Sequence, residues 1–478
     1  MLFNSLQFLV FFPIVVALYF IIPYRFRWIL LLIASYYFYM CWNYKYVVLL
    51  LFTTIICYFA AIGIYRSDKK KIRLLLLWGC ILIYLGTLFF FKYFNFFGES
   101  INILFAKFNI FYHVPSYQYL LPVGISFYTF QALGYTIDVY RGSIKPEYHF
   151  GKFALFKSFF PQLVAGPIER ASNLLPQFSK KFDFNYYRIR DGLVLMAWGF
   201  FKKVVIADRL AEYVNIVYNN PNDYHGIPVI LATIFFAFQI YCDFSGYSDI
   251  AVGSAKVMGF SLMTNFRRPY FAQNIKEFWQ RWHISLSTWF RDYFYISLGG
   301  NRVAIWRWQL NLFLTFLVSG IWHGANWTFI IWGALHGFYL VFAIWTKKMQ
   351  TQTNDFLRLG RHVKLITFIS VFITFLLVVF AWIFFRANSV GDAFVIIKNM
   401  FNFSYSEYNL YYFPVDLYIA FASIFLLILF EYTLEYSNVL NRIYTLKRPY
   451  KWAILTCILF SIMILGKWDS VNFLYFQF

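Results

Sequence analysis

Charged residues are scarce in this chain: Asp, Glu, Lys and Arg fill 13% of its 478 positions, roughly half the share of an ordinary soluble domain. A hydrated surface around a core cannot be assembled from so little charge, which excludes a water-soluble enzyme. Acidic residues are scarcer still, 21 against 42 basic ones, leaving a net charge of +21. In a soluble protein that balance would suggest nucleic acid. Here Lys and Arg gather in short breaks between apolar runs, as cytoplasmic loops do, and nucleic-acid binding is rejected. Cysteine is sparse too: Cys41, Cys57, Cys80, Cys242 and Cys457 have no paired metal-ligand spacing and read as buried free thiols. The N-terminus lacks a basic segment and a small-residue cleavage site, so Ser5 to Ile22 reads as a retained first span rather than a signal peptide.

What the chain has instead is apolar: 61% hydrophobic and 25% aromatic residues. Apolar runs of helical length recur along almost its whole length. The expected fold is all-α, a polytopic transmembrane helical bundle forming one integral-membrane domain over residues 1–478. Runs at Ser5 to Ile22, Trp28 to Cys41 and Tyr46 to Tyr65 precede a basic knot, Arg66-Ser67-Asp68-Lys69-Lys70-Lys71-Ile72-Arg73, and a fourth run to Phe91. The positive-inside rule puts that knot, and the Arg25/Arg27 loop, in the cytoplasm, so the N-terminus faces out. Gly98 to Gln118 reads as interfacial. Leu121 to Tyr140, with Pro122, Gly124 and Gly134, reads as an irregular helix packed inside protein, and FPQLVAGPIER (Phe160 to Arg170) as re-entrant or interfacial. Spans at Gly192 to Ile206, from Pro228, at Trp327 to Trp345, and near Leu365 to Phe385, Leu417 to Tyr432 and Trp452 to Gly466 bring the total to roughly eleven or twelve. Both termini are expected outside, the C-terminal one through Val471 to Phe478.

The stretch with most chemistry is LVSGIWHGAN, Leu317 to Asn326. A helix entering at Gln309 and stopping near Gly320 would cover only about 20 Å at 1.5 Å per residue, which places His323 inside the membrane slab. Polar side chains are costly there and usually functional. His323 is the first catalytic candidate, against the plainer reading of a packed neutral histidine. Lys276 to Tyr293 has helical periodicity: Phe278, Trp282, Leu286, Trp289 and Tyr293 form one stripe, and Lys276, Gln280, His283, Ser287 and Arg291 lie opposite. It predicts an interfacial helix with His283 on its polar face. Gln239, Asp243, Ser245, Ser248 and Asp249 read as a network joining helices or, alternatively, as part of a site. His336, between Gly333 and Gly337, reads as packing.

A near-neutral imidazole is the usual general base for an alcohol, so acyl transfer to a hydroxyl fits. A proton-coupled transporter fits the same residues, although no inverted repeat is visible. A metal held by His283, His323 and His336 lacks any local ligand motif and is set aside.

FPQLVAGPIER, YCDFSGYSDIAVGSAKVMGF, NFRRPY, EFWQRWHISLSTWFRDYFYISLGGNR and SGIWHGANWTFIIWGALHG resemble the membrane-bound O-acyltransferase family over Phe160 to Gly337. The likeness is strongest to the branch that O-acetylates bacterial exopolysaccharide, cellulose and peptidoglycan. A branch that D-alanylates teichoic acid shares the RWHxSLSxWxRDY and WHG features. The resemblance implies that His323 is catalytic and that His283 is associated with activity. It also implies acetyl-CoA as donor substrate without a bound cofactor, and a bacterial cytoplasmic membrane location. An extracytoplasmic SGNH-hydrolase-like partner and a glycan acceptor follow from the same likeness. Arg267, Arg268, Lys276, Arg281, Arg291 and Arg302 are then candidates to meet the phosphates of coenzyme A. Gln280, Ser287 and Asp243 join them as candidate donor-site residues.

Overall fold

A computed structural model describes residues 1–117, 119–164, 166–356, 363–403, 414–437, 447–468 and 473–474; among them there are helices, turns and loops and no strand. The expectation for Val471 to Phe478 falls almost wholly outside the described residues. Contacts divide the chain into two compact units, Met1–Met196 with Ser248–Met263, and Ala197–Tyr247 with Thr264–Phe478.

The first unit contains α1 (Leu6–Ile21), α2 (Arg27–Met40), α3 (Tyr46–Arg66), α4 (Lys70–Leu88) and α5 (Phe94–Lys107). It continues with α6 (Ile125–Tyr140), α7 (Phe150–Ser158), the single turns α8 (Phe160–Leu163) and α9 (Ala171–Leu174), and most of α10 (Tyr186–Phe200). The first four apolar runs thus all form helices, of which Tyr46–Arg66 and the one starting at Lys70 are long enough to span. A π-helical turn, Phe89–Tyr93, joins α4 to α5 in one 38-residue rod, about 57 Å long at 1.5 Å per residue and far longer than a ~30 Å hydrocarbon layer.

The helix expected to pack inside protein does so, with Phe127, Tyr128, Leu133 and Tyr135 of α6 buried. It starts at Gly124 in the left-handed region (φ 74), where a Cβ would stand 2.5 Å from the Leu163 carbonyl oxygen. Only glycine meets both demands. Residues 160–164 and 166–169 of the FPQLVAGPIER stretch are buried, and Glu169 there accepts the Met263 N–H and, at 2.8 Å, the Asn173 amide. Gln177 accepts from Ser261 N–H at 2.8 Å and donates back to its carbonyl at 3.0 Å. Glu169 of that motif and Gln177 beyond it therefore clamp the segment after the long helix that ends at Met258.

The second unit holds α11 (Asp208–Asn219), α13 (Ile275–Arg281), α14 (Ile284–Trp289), α15 (Ile305–His323), α16 (Trp327–Phe356), α17 (Val363–Arg386), α18 (Val390–Met400), α19 (Pro414–Tyr436) and α20 (Arg448–Leu465). The 32-residue α12 (Ile227–Met258) gives its first part to this unit and its last turns to the other. α15 and α16 pack through glycine. A Cβ on Gly333 would stand 2.4 Å from the Phe316 carbonyl oxygen, and one on Gly320 would stand 2.3 Å from that of Phe329. Small residues let two backbones approach this closely where packing, not hydrophobicity, drives helix association.

The chain is a multi-pass helical membrane protein. Six described helices are long and apolar enough to cross a membrane: Tyr46–Arg66, Lys70–Lys107, Ile227–Met258, Trp327–Lys347, Val363–Arg386 and Val415–Tyr436, with shorter apolar helices at Leu6–Ile21 and Pro449–Leu465. This is fewer than the eleven or twelve read from apolar runs. Runs such as Ser5 to Ile22 and Trp28 to Cys41 form helices of 16 and 14 residues, too short by themselves for a ~30 Å crossing. The thiols are all free, as expected, but Cys41 and Cys457 are exposed rather than buried.

Candidate active site

His323 is the last residue of α15, followed by Gly324 in extended conformation (φ −165). The helix begins at Ile305 rather than Gln309 and passes through Gly320. Its 19 residues cover roughly 28 Å, so the argument that a short helix strands His323 at mid-membrane does not hold. Gly320 serves helix contact, not a turn. What isolates His323 is its surroundings. It is 3% exposed and lies edge-on to Trp322 (4.9 Å between centroids), Trp332 (4.8 Å) and Phe385 (5.3 Å). Asn326 then ends the turn, its Oδ1 accepting the Thr328 N–H at 3.0 Å while its amide reaches the Asn388 carbonyl at 2.9 Å.

His283 differs from expectation. The periodic stripe Phe278, Trp282, Leu286, Trp289 and Tyr293 is buried as the spacing requires, but no single helix runs through it. α13 ends at Arg281, His283 takes a left-handed conformation (φ 42), and α14 starts at Ile284. The ring accordingly turns inward, fully buried, away from the exposed Lys276, Gln280 and Arg291. Two backbone bonds hold the break: Ile284 N–H to the Asn265 carbonyl and Arg267 N–H to that of Arg281, both 2.9 Å. Asn265 Oδ1 lies 3.2 Å from His283 Nδ1, and Phe244 packs edge-on at 4.6 Å. Burial pushes the His283 imidazole down to about 3, so the ring is neutral at physiological pH.

These two histidines share a neighbour. The Trp322 ring lies 6.2 Å from His283 and 4.9 Å from His323. On the other side Trp332 touches both His323 and His336 (4.9 Å). His336 is boxed by aromatic rings, and the Trp279 indole N–H donates to its Nδ1 at 3.3 Å, which puts the ring proton on Nε2. It packs as the sequence suggested. Neighbouring histidines thus share an indole contact, Trp322 for His283 and His323 and Trp332 for His323 and His336, and no cluster suited to a metal occurs among the described residues.

The other candidates divide. Arg268 and Arg281 both pair with Glu435, at 2.6 and 2.9 Å, and Arg281 also with Glu277 at 2.6 Å. Arg291 pairs with its neighbour Asp292 at 2.7 Å. Arg267, Lys276, Gln280 and Arg302 are exposed, while the Ser287 hydroxyl donates to the Trp282 carbonyl at 3.2 Å. Asp243 is buried, 2.6 Å from Lys203, and accepts the Leu474 N–H at 2.7 Å. Lys203 also holds Asp208 at 2.7 Å. The polar groups of α12 therefore include a helix-joining ion network.

Asn265 and Glu435 escaped sequence reading because their partners lie 18 or more positions away. The Lys203 network escaped because one apolar run concealed its lysine. Asn265 sits in the NFRRPY stretch, which is the one signal that pointed to it.

Residues 143–386 match the membrane-bound O-acyltransferase (MBOAT) family. The chain is 40% identical over 406 residues to a probable alginate O-acetylase AlgI of Pseudomonas aeruginosa, covering 84% of this chain and 75% of the relative. It is 34% identical over 396 residues to a peptidoglycan O-acetyltransferase of Helicobacter pylori, covering 77% and 73%. A teichoic acid D-alanyltransferase of Bacillus subtilis is 30% identical over 225 residues, 44% of this chain and 56% of the relative.

Proposed function

Because the chain belongs to the membrane-bound O-acyltransferase family, we propose that it takes acetyl groups from cytoplasmic acetyl-CoA and passes them through the membrane for O-acetylation of an extracytoplasmic cell-surface glycan. Buried His323, caged by Trp322, Trp332 and Phe385, is the observation that carries this reading. An imidazole held in apolar surroundings acts as a base without solvent competing for its proton. As an acceptor oxygen attacks the thioester carbonyl, His323 takes the hydroxyl proton; when the carbon–sulfur bond breaks, that proton leaves with the coenzyme A thiol. His283, which shares the Trp322 ring as a neighbour with His323, borders the donor path.

Arg267 is the basic residue best suited to a coenzyme A phosphate, since Arg268 and Arg281 already pair with Glu435. The acceptor outside is an SGNH-hydrolase-like partner that hands acetyl to the polymer, or the polymer itself. Similarity to an alginate O-acetylase and a peptidoglycan O-acetyltransferase over more than three quarters of the chain favours acetyl as the cargo. The D-alanyl reading draws on a match to less than half of it.

Reconstitution with radiolabelled acetyl-CoA tests the proposal. Label should appear on an extracytoplasmic acceptor, protein or glycan. Uptake of substrate without acetyl transfer, or transfer of D-alanine instead, would overturn it.

A further inference from the structure

Asn265 Oδ1 faces three groups: the Ser285 N–H at 3.2 Å, the Ser285 hydroxyl at 3.0 Å and His283 Nδ1 at 3.2 Å. A backbone N–H can only donate, so the amide atom it meets is the oxygen, and the side chain cannot be turned round. His283 Nδ1 must then carry a proton and donate it, which places that ring's lone pair on Nε2. The nitrogen of the same amide is left beside the imidazole with two N–H donors. Asn265 is 2% exposed, and its Nδ2 has no hydrogen-bond partner among the described residues. A buried amide donor without an acceptor is destabilising and survives where a ligand supplies the acceptor.

The backbone around it is equally particular. Arg268 (φ 46) and His283 (φ 42) are both in the left-handed region, an arrangement that costs energy for non-glycine residues and gathers at functional sites. The paired segments containing them hold the Asn265 amide against His283 from two directions.

We propose that Asn265 is a catalytic residue: its Nδ2 donates to the carbonyl oxygen of the acyl thioester, and its Oδ1 keeps the His283 lone pair on Nε2. This rests on the reading that His283 borders the acyl-donor path. When the acceptor oxygen bonds to the carbonyl carbon, the π pair moves to the carbonyl oxygen, where the Nδ2 donor stabilises the negative charge. The pair returns as the carbon–sulfur bond breaks, and the thiolate leaves with the proton that His323 had taken from the acceptor hydroxyl. A preformed donor aimed at developing charge is the general device of oxyanion stabilisation.

Asn265→Asp is the informative change, because it keeps an oxygen facing Ser285 and His283 and removes the amide donor. In the reconstituted full chain, kcat should fall on the order of 10²- to 10³-fold, with the apparent KM for acetyl-CoA nearly unchanged. A kcat within a few-fold of the parent overturns the proposal. A measurement that does not depend on that variant's folding uses acetyl-CoA isotopically labelled at the carbonyl, bound to His323→Ala protein. Its infrared carbonyl band should lie below that of free acetyl-CoA, and an unshifted band also overturns the proposal. His283→Ala measured in parallel separates the two ideas. Parent-level activity there refutes the position of His283 on the donor path and the proposal with it; loss there beside an active Asn265→Asp refutes the proposal alone.

Discussion

At the scale of the residue, two histidines near one indole have different consequences when altered. His323→Ala removes the proposed general base and leaves α15 intact up to its last turn. Folded, inserted protein should bind acetyl-CoA yet transfer acetyl on the order of 10²- to 10⁴-fold more slowly. Transfer within a few-fold of the parent would assign the base elsewhere. His283 is instead legible through stability. Its imidazole is held down at about 3 by burial, whereas an unfolded chain titrates near 6.5. Below about 6.5 the unfolded state binds a proton that the folded state does not, so the contribution present at neutral pH is lost progressively as pH falls toward 3. The thermal midpoint of the solubilised protein should therefore drop between neutral pH and about pH 5, and His283→Gln should flatten that slope. Parallel curves for the two proteins would mean that His283 protonates freely in the fold.

At the scale of the element, the α15/α16 hairpin and the break between α13 and α14 carry the site. Gly320 and Gly333 hold α15 and α16 at backbone contact, and that approach sets Trp332 against His323. Gly333→Val would force three carbons into a space already closed at 2.4 Å by the Phe316 carbonyl. It should lower stability by about 1–3 kcal/mol and reduce kcat through displacement of Trp332. Unchanged melting and activity would show that the hairpin tolerates separation. The break at His283 teaches a different lesson. Helical spacing correctly named the buried stripe of Phe278, Trp282 and Leu286, yet one left-handed residue moved the histidine from the stripe's opposite side to the interior. Periodicity reports the average direction of side chains, and a single φ sign overrides it.

At the scale of the whole molecule, orientation follows from charge. The basic knot at Arg66 to Arg73 is proposed to lie in the cytoplasm, and the loop at Asn219-Asn220-Pro221, which the order of apolar runs suggests is an outer one, to lie outside. In a chain freed of its five native cysteines, Asp68→Cys should react with an impermeant maleimide only after the cell is opened. Asn220→Cys should react in intact cells. The reverse pattern would invert the proposed direction of acetyl flow.

The sequence by itself determined the membrane class, the helical fold and the positions of the long apolar helices, and it singled out His323 as the first candidate, because each depends on composition, run length or a local motif. The acyltransferase family was legible from the same motifs. Only the tertiary structure decided that α15 is a full-length helix, that His283 points inward, and that Trp322 contacts both histidines. It alone paired Arg268 and Arg281 with Glu435, buried Asp243 against Lys203 and set the Asn265 amide beside His283. Each of these is a contact between distant positions or a single backbone dihedral. Hydrophobic patterning specifies which faces are buried; it does not specify which polar group meets which inside.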